Sequence, residues 1–198
     1  MDIYSSILEV NSKSVLDVGA YVGDSAILFA LMGPNRVVAI EPSPWAYYIA
    51  KRNVEVNNLE NLINLVNCAV SKENGKTLIL PSGEIDSGSF EATSNVQGDV
   101  PVPTCTLDSL IEKYGAFDVM KVDCEGCEHE SIPYSRMIGE VKEVLVEYHG
   151  GYEDVKKKLR EEGFVTIKYC EFAALRKRLQ GLYESPLNPR LGCIYASK

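Results

Sequence analysis

Two groups of residues in this chain have the types and spacing to do chemistry. The first is a pair of glycines, Gly19 and Gly23, that follows the apolar run Val15-Leu-Asp-Val18, with Glu41 closing the next apolar run. Glycine lets a backbone approach a ligand closely, and a helix starting just beyond such a turn offers unpaired N–H groups to an anionic ligand group. A carboxylate at the end of the neighbouring strand accepts hydrogen bonds from both hydroxyls of a ribose. Together they imply an adenosine-bearing ligand at the carboxyl edge of a sheet. The second group is Lys121-Val-Asp123-Cys-Glu125-Gly-Cys-Glu128, with Glu147 and His149 further on. Carboxylates, an amine and an imidazole are the side chains that move protons near neutral pH.

The elements that must hold these groups read as alternating strands and helices. Strands are expected at 14–18, 36–41, 62–66, 117–123 and 141–149, with helices at 24–32, from Ser43-Pro44 to about 57, after Thr106, and over 152–162. Ser43 suits an N-cap and Pro44 the first helical position, where no N–H is needed. Glu153/Lys157 and Asp154/Lys158 support the last of these helices at i,i+4. The polar stretch 82–99 lies between Thr77-Leu-Ile-Leu80 and Val100-Pro-Val-Pro-Thr104, flanks that predict a hairpin appended to the sheet. Two final strands, 164–170 and 192–196, are joined by a Pro-containing connection too irregular for a helical crossover, so an antiparallel pair is expected.

The glycines discriminate between adenosine ligands. A dinucleotide fingerprint starting at Gly19 wants glycine at 21 and glycine or alanine at 24, where this chain has Tyr21 and Asp24. Tyr21 crowds a pyrophosphate and Asp24 adds negative charge beside it. The ammonium and sulfonium of S-adenosylmethionine are instead favoured by a carboxylate such as Asp17. S-adenosylmethionine is the expected cofactor, with NAD as the alternative.

Composition bounds the rest. The chain has 198 residues, 45% hydrophobic and 24% charged, with a net charge of -8. That is enough for one core and one domain, residues 1–198. Nucleic-acid partners are disfavoured, since their affinity comes from basic residues neutralising phosphates. The opening Met1 to Val10 has no basic leader pattern, and about 18 apolar residues never run together, so a cytoplasmic protein without a membrane anchor is expected. Six cysteines are scattered along the chain, which reads as reduced thiols. Cys124-Glu-Gly-Cys127 has the C-x-x-C spacing, but no second pair follows at ligand distance, and zinc is not expected.

On the acceptor side, His149 is the favoured general base, with Glu147 on the same strand face. A base at this position adds about 10²–10⁴ to a rate. The alternative is a strand-end histidine bonded to a backbone carbonyl. Asp123, Glu125 and Glu128 crowd one another, and Lys121 or a Mg²⁺ ion would answer their charge. The same carboxylates also serve caps and loops, and no metal site is assigned. Arg176-Lys-Arg178 and Arg190 lie in 171–191, a basic loop that is either a lid over an anionic acceptor or simply solvated. Ser87 and Ser89 either contact the acceptor or favour a turn.

Leu16-Asp-Val-Gly-Ala20, Val38-Ala-Ile-Glu-Pro42, Ala69-Val-Ser71 with Gly75, Thr106-Leu-Asp-Ser-Leu110, and Lys121-Val-Asp-Cys-Glu-Gly126 with Glu128 together resemble the FkbM-type class I methyltransferases. The resemblance implies a Rossmann-like α/β fold: a seven-stranded, mostly parallel sheet with an antiparallel last strand and helices on both faces. It implies S-adenosylmethionine at Asp17, Gly19, Ala20, Tyr21, Gly23, Glu41 and Pro42, with Asn67, Cys68 and Ala69 beside the adenine and Asp123 below. It implies methyl transfer, with His149, Asp123, Lys121 and Glu125 as the catalytic set. Cys124 and Cys127 fall where the family carries small apolar residues. The expected acceptor is a hydroxyl on a small molecule or glycan. N-methylation of RNA or protein, or cofactor binding without turnover, are the alternatives, and the oligomeric state is left open.

Overall fold

A computed structural model describes residues 4, 7–83, 98–170 and 191–198, except for the side chains of 166–170 and 191. The predicted loop 171–191, with Arg176, Lys177, Arg178 and Arg190, and the serines at 87 and 89 lie outside the described residues, save for Leu191. The strands are β1 (Ser14–Val18), β2 (Arg36–Ile40), β3 (Ile63–Val66), β4 (Ala69–Val70), β5 (Thr77–Leu80), β6 (Val100–Cys105), β7 (Val119–Val122), β8 (Glu143–His149), β9 (Thr166–Cys170) and β10 (Leu191–Ser197). The helices are α1 (Asp24–Leu31), α2 (Pro44–Val56), α3 (Leu107–Tyr114), α4 (Cys127–Ser131) and α5 (Glu153–Glu161).

The main sheet has the order β3-β2-β1-β7-β8-β10-β9. The pairs from β3 through β8 are parallel, and β10 runs antiparallel to both β8 and β9. Central parallel strands are covered on both faces, so they read as nearly continuous apolar runs. Alternation still decides the side: Leu16, Val18, Met120 and Val122 join a core with Ile111 and Ile132, while Val15 and Val119 join a second core with Phe29. Asp17 and Lys121 occupy the second face and are direct register partners across β1 and β7.

Local chemistry sets the helix starts. Ser43 accepts a hydrogen bond from the Ala46 N–H with Pro44 in the first turn, and Thr106 forms a capping box with Ser109 ahead of α3. At the lower edge, Asp118 joins the starts of β1, β7 and β8. Its carboxylate accepts from the Ser14 N–H at 2.8 Å, from Ser14 Oγ at 2.9 Å and from Lys142 Nζ at 2.6 Å. These donors, Lys142 foremost, hold it down at about 2. A depressed carboxylate stabilises the fold above its unfolded value and loses that contribution as the pH falls through its folded value. Asp118→Asn is therefore expected to cost about 1 kcal/mol at pH 7 and progressively less toward pH 2, measured by urea denaturation.

Three expectations are corrected. The 77–80 and 100–105 segments do pair antiparallel, but in a separate three-stranded sheet of order β4-β6-β5, because β6 also pairs with β4. On α5, Lys156 reaches Glu153 and Lys157 and Lys158 reach Glu161 and Glu162, while Asp154 is taken by His129 at 2.8 Å. The cysteines are not reduced thiols: Cys68–Cys105 and Cys124–Cys127 are disulfides, with Cα separations of 6.1 and 5.5 Å, and Cys193 is disulfide-bonded as well. Scatter along the sequence hid the fact that the end of β3 lies beside the end of β6. Among the described residues no helix is long and apolar enough to cross a membrane.

Candidate active site

The carboxyl ends of β1, β2, β7 and β8 bring both chemical groups to one edge. The turn after β1 carries left-handed backbone at Gly19, Tyr21 and Gly23. Gly19 has a further reason to be glycine: a Cβ there would stand 1.7 Å from the Asp123 carbonyl oxygen. Its missing side chain serves the junction of β1 with β7. Gly23 packs in the same way on Ala50.

Glu41 ends β2 and is only 6% exposed. One oxygen accepts from the Tyr21 N–H at 2.8 Å and the other from the Ser43 N–H at 2.7 Å. Burial nevertheless pushes its carboxyl up to about 7. Each oxygen retains lone-pair capacity. Trp45 stands 6.2 Å from the Tyr21 ring, an aromatic neighbour that no sequence motif marked. Asn67 donates both of its amide bonds to the Glu41 and Pro42 carbonyls, at 2.8 and 3.0 Å, and so clamps the β2 and β3 ends together. Its NH₂ is thereby committed to the fold. Ala20 and Ala69 are buried beside this wall, and Cys68 is tied to Cys105.

Asp17 is placed differently from expectation. It is fully buried, accepts from Ser25 Oγ at 2.6 Å and pairs with Lys121 Nζ at 3.1 Å. Lys121 also donates to the Gly19 carbonyl at 2.7 Å and lies 3.9 Å from Asp123. Burial alone would lower the ammonium's pKa, but Asp17 and Asp123 raise it above the ordinary lysine value. Both residues sit beneath the turn, supporting it, and neither lines the cleft. Tyr4, which carries no sequence signal, donates its hydroxyl to Asp123 Oδ2 at 2.7 Å.

The acidic turn after β7 separates into distinct roles. Glu128 is fully buried and accepts from the Gly126 N–H at 2.9 Å and the His149 N–H at 2.7 Å, with His149 Nδ1 at 3.4 Å. Burial raises its pKa, but the donors, led by the His149 ring, bring it below the usual glutamate value. Glu125, at a left-handed φ of 54°, meets His149 Nε2 at 3.2 Å. Burial pulls the His149 pKa down, yet Glu128, Glu125 and Glu147 outweigh that and hold it above the free imidazole value. Burial, and then the Asp123 charge, push Glu147 up to about 7. One ligand-type atom each from Asp123, Glu147 and His149 falls within a mutual 4.8 Å. His129 is fully engaged between Asp154 and the His149 carbonyl.

A sheet of this order, with a glycine turn and an acidic strand end at its carboxyl edge, is the Rossmann-like fold of class I methyltransferases. Solved structures agree: an FkbM methyltransferase from Methylobacillus flagellatus superposes with a TM-score of 0.64 at 18% identity, covering 99% of this chain and 46% of that one. A precorrin-8w decarboxylase from Methanobacterium thermoautotrophicum gives 0.57 at 15% identity, covering 99% and 87%. Residues 17–166 match the model of the methyltransferase FkbM domain. The chain belongs to the FkbM methyltransferase family. A ribosomal protein L11 methyltransferase from Carboxydothermus hydrogenoformans is 37% identical over 54 residues, 27% of this chain and 18% of that protein. The chain thus spans less than half the length of that relative and of the Methylobacillus enzyme.

Proposed function

We propose that this enzyme transfers a methyl group from S-adenosylmethionine to a hydroxyl of a small molecule or glycan. The observation that carries the donor is Glu41: a buried carboxylate, fixed by two backbone N–H groups next to the glycine turn, with acceptor capacity left for a ribose diol. When bound, the donor supplies a methyl group on a sulfonium, and its departure leaves the thioether S-adenosylhomocysteine.

The chain's own residues do the rest. The Gly19–Gly23 turn and Glu41 fix the adenosine and tail, while Asp123, Glu147 and His149 face the cleft where an acceptor hydroxyl docks. The hydroxyl oxygen forms the new C–O bond in line with the departing sulfur, and its proton passes to this cluster. Orientation at attack distance supplies much of the acceleration. Lys121 supports the floor through Gly19 and Asp17 without touching the acceptor. An RNA acceptor is disfavoured by the net charge of -8.

Calorimetry against S-adenosylmethionine and NAD tests the donor. Binding of the sulfonium donor alone is expected, and binding of NAD alone would overturn the reading. Transfer of labelled methyl into fractionated cell extract tests the acceptor, with label expected in hydroxylated small molecules or glycans. Label confined to protein or RNA would replace the hydroxyl reading, and donor binding with no label in any fraction would favour a non-catalytic binding module.

A further inference from the structure

We infer that Asp123, Glu147 and His149 form a binding site for one divalent metal ion of the manganese type. Asp123 follows β7, and Glu147 and His149 lie two residues apart on one face of the adjacent β8, so two neighbouring strands deliver three ligand-type atoms to one point. Two carboxylates and one imidazole make a mixed oxygen and nitrogen set, which suits a hard-to-borderline divalent ion that keeps open positions for water or a hydroxyl. Cys124 and Cys127 are bonded to each other and offer no thiolate.

A second observation, independent of that convergence, is the support behind the ligands. A metal-binding histidine characteristically gives its other ring N–H to a carboxylate, which fixes the tautomer and turns the lone pair toward the ion. Here Glu128, with no exposed surface, binds the His149 N–H and stands 3.4 Å from His149 Nδ1, while Nε2 lies 3.2 Å from Glu125 and 4.0 Å from Glu147. Asp123 has the same kind of support, since Tyr4 holds Oδ2 and leaves Oδ1. Glu147 accepts no hydrogen bond from any described residue, and its nearest described cation is the His149 ring. Lys121, the buried ammonium of this region, is committed to Asp17 and Gly19. A dication would neutralise carboxylates that otherwise repel one another.

The inference stands on these residues and not on the choice of methyl acceptor. If the proposed hydroxyl acceptor is right, the ion would bind that hydroxyl and ease loss of its proton.

The test is titration of Mn²⁺ into the chelator-stripped full chain, read by calorimetry and by the electron paramagnetic resonance of bound Mn²⁺, without donor or acceptor. One ion per chain is expected, with binding weakened at least about tenfold in Asp123→Asn, Glu147→Gln and His149→Ala. Glu128→Gln is expected to weaken it about tenfold through the histidine alone. Circular dichroism and S-adenosylmethionine titration of each variant separate a lost ligand from a lost fold. No Mn²⁺, Mg²⁺ or Zn²⁺ binding up to millimolar concentration would overturn the site, as would binding indifferent to all three ligand substitutions. Donor titration of the stripped protein is read separately, so failure of the metal site and failure of the methyltransferase reading are distinguishable.

Discussion

Lys121→Met is expected to destabilise the protein by about 3–5 kcal/mol, the cost of leaving one member of a buried ion pair without its partner. Lys121 is 2% exposed and Asp17 fully buried, at 3.1 Å, and the two are in direct register across β1 and β7. Methionine matches the length of the lysine stem but leaves the Asp17 carboxylate with the Ser25 hydroxyl as its remaining partner among the described residues. The double variant Lys121→Met/Asp17→Asn removes the stranded charge and is expected to recover most of the loss. Urea denaturation of wild type, both single variants and the double variant closes the cycle. If Lys121→Met costs under about 1 kcal/mol, the pair is not the support it is taken to be. The Lys121 pKa is raised in the folded state, so its contribution is complete below the unfolded lysine value of about 10.4 and is lost at higher pH.

Glu41→Gln is expected to weaken S-adenosylmethionine binding about 10²-fold. Charged acceptors contribute about 1.5–3 kcal/mol per hydrogen bond, and a ribose diol makes two. Glutamine keeps the shape but loses one acceptor oxygen and the charge, and its NH₂ opposes the Tyr21 or Ser43 N–H. The wild-type protein carries its own control in pH. Burial pushes the Glu41 carboxyl up to about 7 in the free protein. Ribose hydroxyls donate to the ionised form, so binding lowers that pKa and releases a proton. Affinity is therefore expected to fall as the pH drops below about 7, by up to about tenfold per unit, and to level off above it. Calorimetry in buffers of different ionisation enthalpy counts the proton directly. A flat profile from pH 5 to 8 would remove Glu41 from the donor site.

Much of the scaffold was legible in the sequence because each central strand is a short apolar run ended by a residue with a distinct job: Val18 by Gly19, Ile40 by Glu41, Val122 by Asp123. Such runs are what a sheet buried on both faces requires. The place of Glu41, just past the end of β2 and beside the glycine turn, was legible from its type and position. Asp17 was expected to favour the donor's cationic tail, but alternation one residue before the strand end also turns it inward, where Ser25 and Lys121 hold it, and that partnership was not legible. At Asn67 the sequence marked a strand-end amide but not that its NH₂ clamps the β2 and β3 ends. Tyr4 and Trp45 were invisible because nothing local marks them; their roles exist only once distant segments meet. The cysteines failed for the same reason. Spacing along the chain reveals C-x-x-C but cannot show that residue 68 lies across from residue 105.

The contact of Gly19 with the Asp123 carbonyl has a mechanical consequence. The turn that faces the donor and the strand end that faces the acceptor touch through main chain alone, with no side chain between them to adopt another rotamer. On the proposed reading the gap between the two half-sites is a fixed gauge, set by backbone thickness, and acceptors are expected to be discriminated by reach. A nucleophile carried a bond length too far from its anchoring groups arrives misaligned, whatever its intrinsic reactivity.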